Sequence, residues 1–205
     1  MTDSDSEAVR ERYRRRADAF EARISAVDED QWGWQSPCDD WDARDVVGHI
    51  VMMHGAMLAP LGRSLSPAPA VGEDPLAAFR AARADVESLL ANPETAAAQV
   101  STPMGPSSYA GHVDQVVSED LVLHGWDLAR ATGQDDTSDP VELDRIWPGV
   151  KDIPDIMRQP EAFGPGIVVF GPIVEVSVDA PIQDQALGYL GRDPSFVPGP
   201  RSATA

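Results

Sequence analysis

The stretch from Val116 to Ala131 reads Val-Val-Ser-Glu-Asp-Leu-Val-Leu-His-Gly-Trp-Asp-Leu-Ala-Arg-Ala, and it constrains the fold more than any other part of the chain. Apolar side chains at 113, 116, 117, 121, 128 and 131 recur with the period of an α-helix. Asp120 and His124 fall on that same stripe, where a core-facing helix would carry Leu or Val. Residues four apart share one helix face, close enough for both side chains to bind one metal ion. A carboxylate and an imidazole turned toward a core need a compensating partner.

Three earlier segments carry stripes of the same period. Tyr13, Ala17, Phe20, Ile24 and Val27 predict a first helix over residues 4–27. Residues 31–41 are rich in tryptophan and turn formers and read as a loop, after which Asp42 caps a second helix carrying Val46, His49, Ile50, Met53 and Met57. Residues 62–73 have the composition of a linker. Asp74-Pro75 then opens a third helix, packed by Leu76, Phe79, Val86, Leu89 and Leu90 and ending near Asn92-Pro93. The fourth follows Ser108, runs to Ala131 and is closed by Gly133. Four such helices imply an all-α fold, a four-helix bundle over residues 1–135, with links at 62–73 and 93–107 long enough for crossovers. Residues 136–205 read as an irregular C-terminal extension packing on the bundle. In it, Val141–Arg158 is helical but broken or kinked at Pro148 and Pro154. Residues 167–176 are extended, with room for a short strand; 182–190 form a last short helix, and the tail after Pro198 is loose.

Charge narrows the partners. With 34 Asp+Glu against 16 Lys+Arg the net charge is -18, which argues against nucleic acid, since phosphate binding needs a basic surface. The one basic run, Arg10 to Arg16, reads as the solvated face of the first helix. The single cysteine, Cys38, excludes an intrachain disulfide and fits a reducing cytoplasm. The acidic N-terminus lacks the apolar core of a signal peptide. The longest apolar run, Val46 to Leu61, is too short and too polar to span a membrane.

His49 follows Val46 by one turn and can also face the interior, so His49, Asp120 and His124 offer two imidazoles and one carboxylate from two helices. With water completing the shell, that set suits a catalytic rather than a structural zinc site, since structural sites are usually closed by four protein ligands. The competing reading is a self-satisfied Asp120–His124 pair and a His49 bonded to a backbone carbonyl; spacing alone leaves both open. His54 and His112 read as surface or cap residues. Cys38 lies among acids, which raise a thiol pKa, so packing suits it better than a nucleophile or a fourth ligand. Trp32, Trp34 and Trp41 either line a pocket mouth or cover one end of the core. Trp126 and Arg130 flank the site-bearing turn and are the candidate contacts for a bound cofactor.

The segment Ser36-Pro-Cys-Asp-Asp-Trp-Asp-Ala-Arg-Asp-Val-Val-Gly-His49 resembles a motif of the mycothiol-dependent maleylpyruvate isomerase N-terminal family, within the DinB-like metal-binding bundles. Asp120 to Gly133 is similar to that family's second signature, and Gly191-Arg-Asp-Pro194 to a short ending found in one of its branches, so the likeness spans residues 8–194. The resemblance implies a divalent metal, typically Zn2+, held at His49, Asp120 and His124, with mycothiol as cosubstrate. Two departures stand out. The family's isomerase carries Glu where this chain has Asp120, whose shorter arm needs a closer backbone or a bridging water. The residues after helix four also do not suggest the isomerase's sterol-carrier-like second domain, so maleylpyruvate activity itself is not implied.

The functional expectation is therefore a metal-dependent thiol S-transferase or thiol-assisted isomerase, whose partners are a small-molecule thiol and an electrophile. A non-catalytic metal- or small-ligand-binding bundle is the alternative. A bundle whose polar pair only fixes helix register is a third reading. Bundle exteriors of this kind often pair as homodimers, although nothing in the sequence marks an interface.

Overall fold

The computed structural model describes residues 3–102, 105–160 and 169–200. The chain divides into two compact units, Met1–Asp136 with Pro198–Ala205, and Thr137–Val197. The first is the expected bundle. Its long helices are α1 (Asp3–Ser25), α2 (Ala43–Leu58), α3 (Pro75–Leu90) and α6 (Val117–Thr132). Between α3 and α6 lie the short helices α4 (Pro93–Ala97) and α5 (Tyr109–Gln115) and an antiparallel hairpin, β1 (Gln99–Thr102) with β2 (Gly105–Ser108).

Local chemistry explains where the helices begin and end. Asp42 caps α2 by accepting from the Asp45 amide at 2.9 Å, while Asp45 returns a bond to the Asp42 amide at 3.0 Å. Asp74 accepts from the Ala77 amide at 2.9 Å, with Pro75 in the first turn of α3. Gly133 ends α6 at φ 69, a left-handed conformation that costs glycine nothing.

The bundle neighbours are α1 with α6, α6 with α2, α2 with α3 and α3 with α1, so α1 and α2 face each other across a diagonal. The connections from α1 to α2 and from α3 to α6 thus cross the bundle, as the long links permit. Tyr13, Phe20, Ile50, Phe79, Leu121 and Leu128 fill the centre, and the Phe20 and Phe79 rings meet at 5.1 Å. Burying such side chains contributes about 1.5–3 kcal/mol each against leaving them exposed.

Several expectations need correcting. The fourth predicted helix is two, α5 and α6, separated at Val116, whose backbone (φ -113, ψ -91) leaves the helical region. The link before it, expected as irregular, holds α4 and the hairpin. The basic run is not simply a solvated face. Arg12 grips Asp114 with two bonds, at 2.8 and 2.7 Å, and the buried Arg16 donates to Ser118 at 2.9 Å. These arginines tie α1 to both sides of the break at Val116. The tail is also held at its start, because the backbone N–H of Gln35 donates to the Gly199 carbonyl at 3.2 Å.

In the second unit, α7 (Pro140–Lys151) runs through Pro148 instead of breaking there, and a 3-10 turn at Asp155–Arg158 follows Pro154. Part of the segment expected to be extended lies outside the described residues, and 169–176 form no strand. The last helix, α8 (Ile182–Tyr189), lies where the sequence put it, and its Tyr189 ring meets Trp147 of α7 edge-on at 5.8 Å. Gly188 is required by close approach, since a Cβ there would sit 2.6 Å from the Val174 carbonyl oxygen. Among the described residues no helix is long and apolar enough to cross a membrane.

His54, expected at the surface, is fully buried on the diagonal between α1 and α2. Its Nδ1 lies 2.7 Å from the Ile50 carbonyl oxygen, which can only accept, so Nδ1 carries the proton. Nε2 then accepts from the Tyr13 hydroxyl at 2.8 Å. Burial pushes the imidazole down to about 4 against the backbone bond and the charge of Asp120, which raise it. The unfolded chain therefore takes up this proton first as pH falls. The stability owed to neutral His54 is complete above about pH 6.5 and lost between there and about 4, roughly 3 kcal/mol in all. Urea unfolding should show wild type losing about that much more than His54→Gln over this interval; parallel pH profiles would contradict the assignment.

Candidate metal centre

The site lies at the contact of α2 with α6. His49 comes from the middle of α2, and Asp120 and His124 rise one turn apart on α6. One ligand atom from each lies within 4.8 Å of the other two. His49 Nε2 and Asp120 Oδ2 are 3.7 Å apart, too far for a hydrogen bond. The His49 and His124 ring centroids are 4.6 Å apart. With bonds of about 2.0–2.2 Å, neighbouring ligands of a tetrahedral zinc lie about 3.3–3.6 Å apart. The cluster is thus close to the span that one ion needs.

The break at Val116 serves this site. It makes Asp120 a residue of the first turn of a new helix, where the partial positive charge of the N-terminus favours a carboxylate. The shorter arm of aspartate is no obstacle, since the adjacent backbones of α2 and α6 already bring Asp120 into reach of His49. Among the described residues no lysine or arginine pairs with Asp120. Two imidazoles and a carboxylate form a donor set suited to a borderline divalent cation.

His124 is buried, and its Nδ1 lies 2.9 Å from Asp127 Oδ2. That bond occupies Nδ1 and leaves Nε2 as the ring atom available to a ligand. Cys38 joins the same carboxylate oxygen, its thiol donating to Asp127 Oδ2 at 3.3 Å. Cys38, His124 and Asp127 also form a compact three-residue group, but these side chains are bonded to one another. Cys38 thus does more than fill space.

The loop that precedes α2 brings in Trp41. The Gln35 amide donates to the carbonyls of Ser36, Cys38 and Trp41 at 2.9–3.0 Å, folding the loop about one side chain. Asp40 takes a left-handed φ of 63 at its tip. The Trp41 ring then lies 4.8 Å from His49 and 5.7 Å from His124, walling one side of the cluster. Trp32 instead lies under the Arg44 guanidinium, at 5.4 Å.

The structure does not bring the other candidates to this cluster. Trp126 is 2% exposed, with Arg130 stacked on it at 5.5 Å and paired with Asp136 at 3.3 Å. At about 100° per residue these two lie roughly 160° and 120° round the helix from His124. His112 is buried on α5, where burial lowers its pKa. Asp127 was not singled out from sequence, although a buried Asp three residues after a candidate ligand is the available signal.

These features define a helical bundle with a three-residue cluster, between two of its long helices, that could hold a metal ion. The chain belongs to the mycothiol maleylpyruvate isomerase N-terminal domain family, whose model matches residues 13–129. That match includes all three candidate ligands together with Cys38, Trp41 and Asp127. Two uncharacterized proteins of Mycobacterium tuberculosis, one from each of two strains, are 29% identical over 181 residues, covering 88% of this chain and 95% of each relative. An alignment of that length extends beyond the bundle, so it includes part of the second unit. No solved structure matches at the same significance.

A ligand bound only by the native state stabilises it by mass action, by about 2.7 kcal/mol at a hundred times its Kd. Zinc at that excess should raise wild-type stability by this amount and leave His124→Ala unchanged. The substitution should therefore lower stability more in metal-loaded than in metal-stripped protein, as measured by urea unfolding. Equal losses in both forms would count against a metal role.

Proposed function

We propose that this protein is a metal-dependent thiol enzyme, a mycothiol S-transferase or thiol-assisted isomerase, with Zn2+ as the metal that best fits its donor set. The observation that carries the reading is the convergence of His49, Asp120 and His124 within 4.8 Å, in a chain whose family is defined by a mycothiol enzyme. The reading places it in the reducing cytoplasm, where Cys38 would stay in its reduced form.

A divalent ion held by these three side chains supplies the Lewis acidity that lowers a thiol pKa, so that thiolate persists at neutral pH. The protein's own residues do the rest. Among the described residues the cluster offers three protein ligands, a number that would leave room for an exogenous sulfur beside them. His49 and Asp120 are partly exposed and form the accessible side of the cluster, whereas His124 is buried and anchors it. Trp41 covers a flank, limits water there and offers an apolar surface to an electrophile. A thiol whose pKa is lowered in this way would release its proton to solvent, so no protein general base is needed.

Zinc-loaded protein incubated with mycothiol and a panel of electrophiles, including activated alkenes and epoxides, should form thioether conjugates detectable by mass spectrometry. His49→Ala and His124→Ala should not. Saturable metal binding without any mycothiol binding or conjugation would overturn the enzyme reading in favour of a non-catalytic binding bundle.

A further inference from the structure

A histidine can ligate through either ring nitrogen, and each choice needs the proton on the other. A neutral imidazole left to itself exchanges tautomers and can flip its ring. His124 faces this ambiguity most acutely, since it is the buried ligand and the one shared by both three-residue groups at the site.

We propose that Asp127 and Cys38 act together as a positioning pair for His124, fixing its Nε2 as the ligand atom and joining the Trp41 loop to α6. The inference rests on the metal reading above. A carboxylate can only accept, so the 2.9 Å contact of Asp127 Oδ2 with Nδ1 places the proton on Nδ1. This is the hydrogen-bond pattern by which carboxylates behind ligating histidines orient the ring and raise its basicity. Asp127 is fully buried, where an uncompensated carboxylate is costly, and the Cys38 thiol supplies a donor to the same oxygen at 3.3 Å.

That thiol has a second consequence. Cys38 sits in the loop folded about Gln35, three residues before Trp41. A bond from Cys38 to Asp127 therefore ties the loop to α6 at the level of His124. It helps to hold the Trp41 indole against both imidazoles. Ring orientation and the covering wall are thus set by one buried carboxylate.

The test uses the full chain and zinc or Co2+ alone. Zinc affinity is measured by competition with a chromogenic chelator, and ligand geometry by the visible bands of the Co2+ form. Asp127→Asn, nearly isosteric, should lose about 10–100-fold in zinc affinity and shift the Co2+ bands. Cys38→Ala should bind zinc more weakly than wild type, and Cys38→Ser, whose hydroxyl can donate, should restore affinity and spectrum. A merely packing role for Cys38 would not distinguish Ser from Ala in the Co2+ spectrum. If Asp127→Asn does not fold, the Cys38 pair decides. Wild-type affinity and spectrum in Asp127→Asn and Cys38→Ala would overturn the positioning pair while leaving the metal centre standing. Failure of wild type itself to bind either metal would remove both.

Discussion

Everything in the bundle's functional half depends on polar side chains converging at the contact of α2 with α6. His49, Asp120 and His124 occupy positions that apolar packing would otherwise fill, and among the described residues no lysine or arginine pairs with Asp120. A helix contact of this kind costs stability unless something positive sits within it. A shared cation would turn the same groups into a cross-link between two helices. The break at Val116, the Asp42 cap and the folded loop before α2 all read as means of bringing those groups together.

Two buried histidines show how neighbours decide function. His54 and His124 both lie in the interior, one on α2 and one on α6. At His54, a carbonyl accepts a hydrogen bond from Nδ1–H and a tyrosine hydroxyl donates to Nε2, so the ring has no lone pair to offer and stays neutral to about pH 4. At His124, a carboxylate accepts a hydrogen bond from Nδ1–H, and the ring is set beside a second imidazole and Asp120. The first arrangement closes the site; the second leaves it open. The difference lies in partners distant in sequence, Tyr13 for one ring and Cys38 behind the other.

That contrast also marks how much the sequence could disclose. Periodicity located α1, α2, α3 and α6, because their core faces repeat over several turns, and Asp42, Asp74 and Gly133 marked their ends. The cluster of His49, Asp120 and His124 was legible as a candidate because polar residues on an apolar stripe stand out, and the family motifs fell on the same positions. The Val116 break was not, since the apolar pattern runs through it unchanged and the ties that flank it, Arg12 to Asp114 and Arg16 to Ser118, are long-range. His54 was misplaced for the same reason: its helix face says nothing about a tyrosine across the diagonal. The β1–β2 hairpin has too few residues and too much proline and serine to carry an alternating signal. Pro148 was expected to break or kink its helix, which does not break there and continues past it for three residues.

The most direct measurement of the central claim is anomalous diffraction at the zinc absorption edge, from crystals grown with the metal. The account predicts one strong peak between α2 and α6, within about 2.0–2.2 Å of His49, Asp120 and His124. Crystals from zinc-saturated protein with no peak there, and with the three side chains bonded instead to other protein groups, would contradict it.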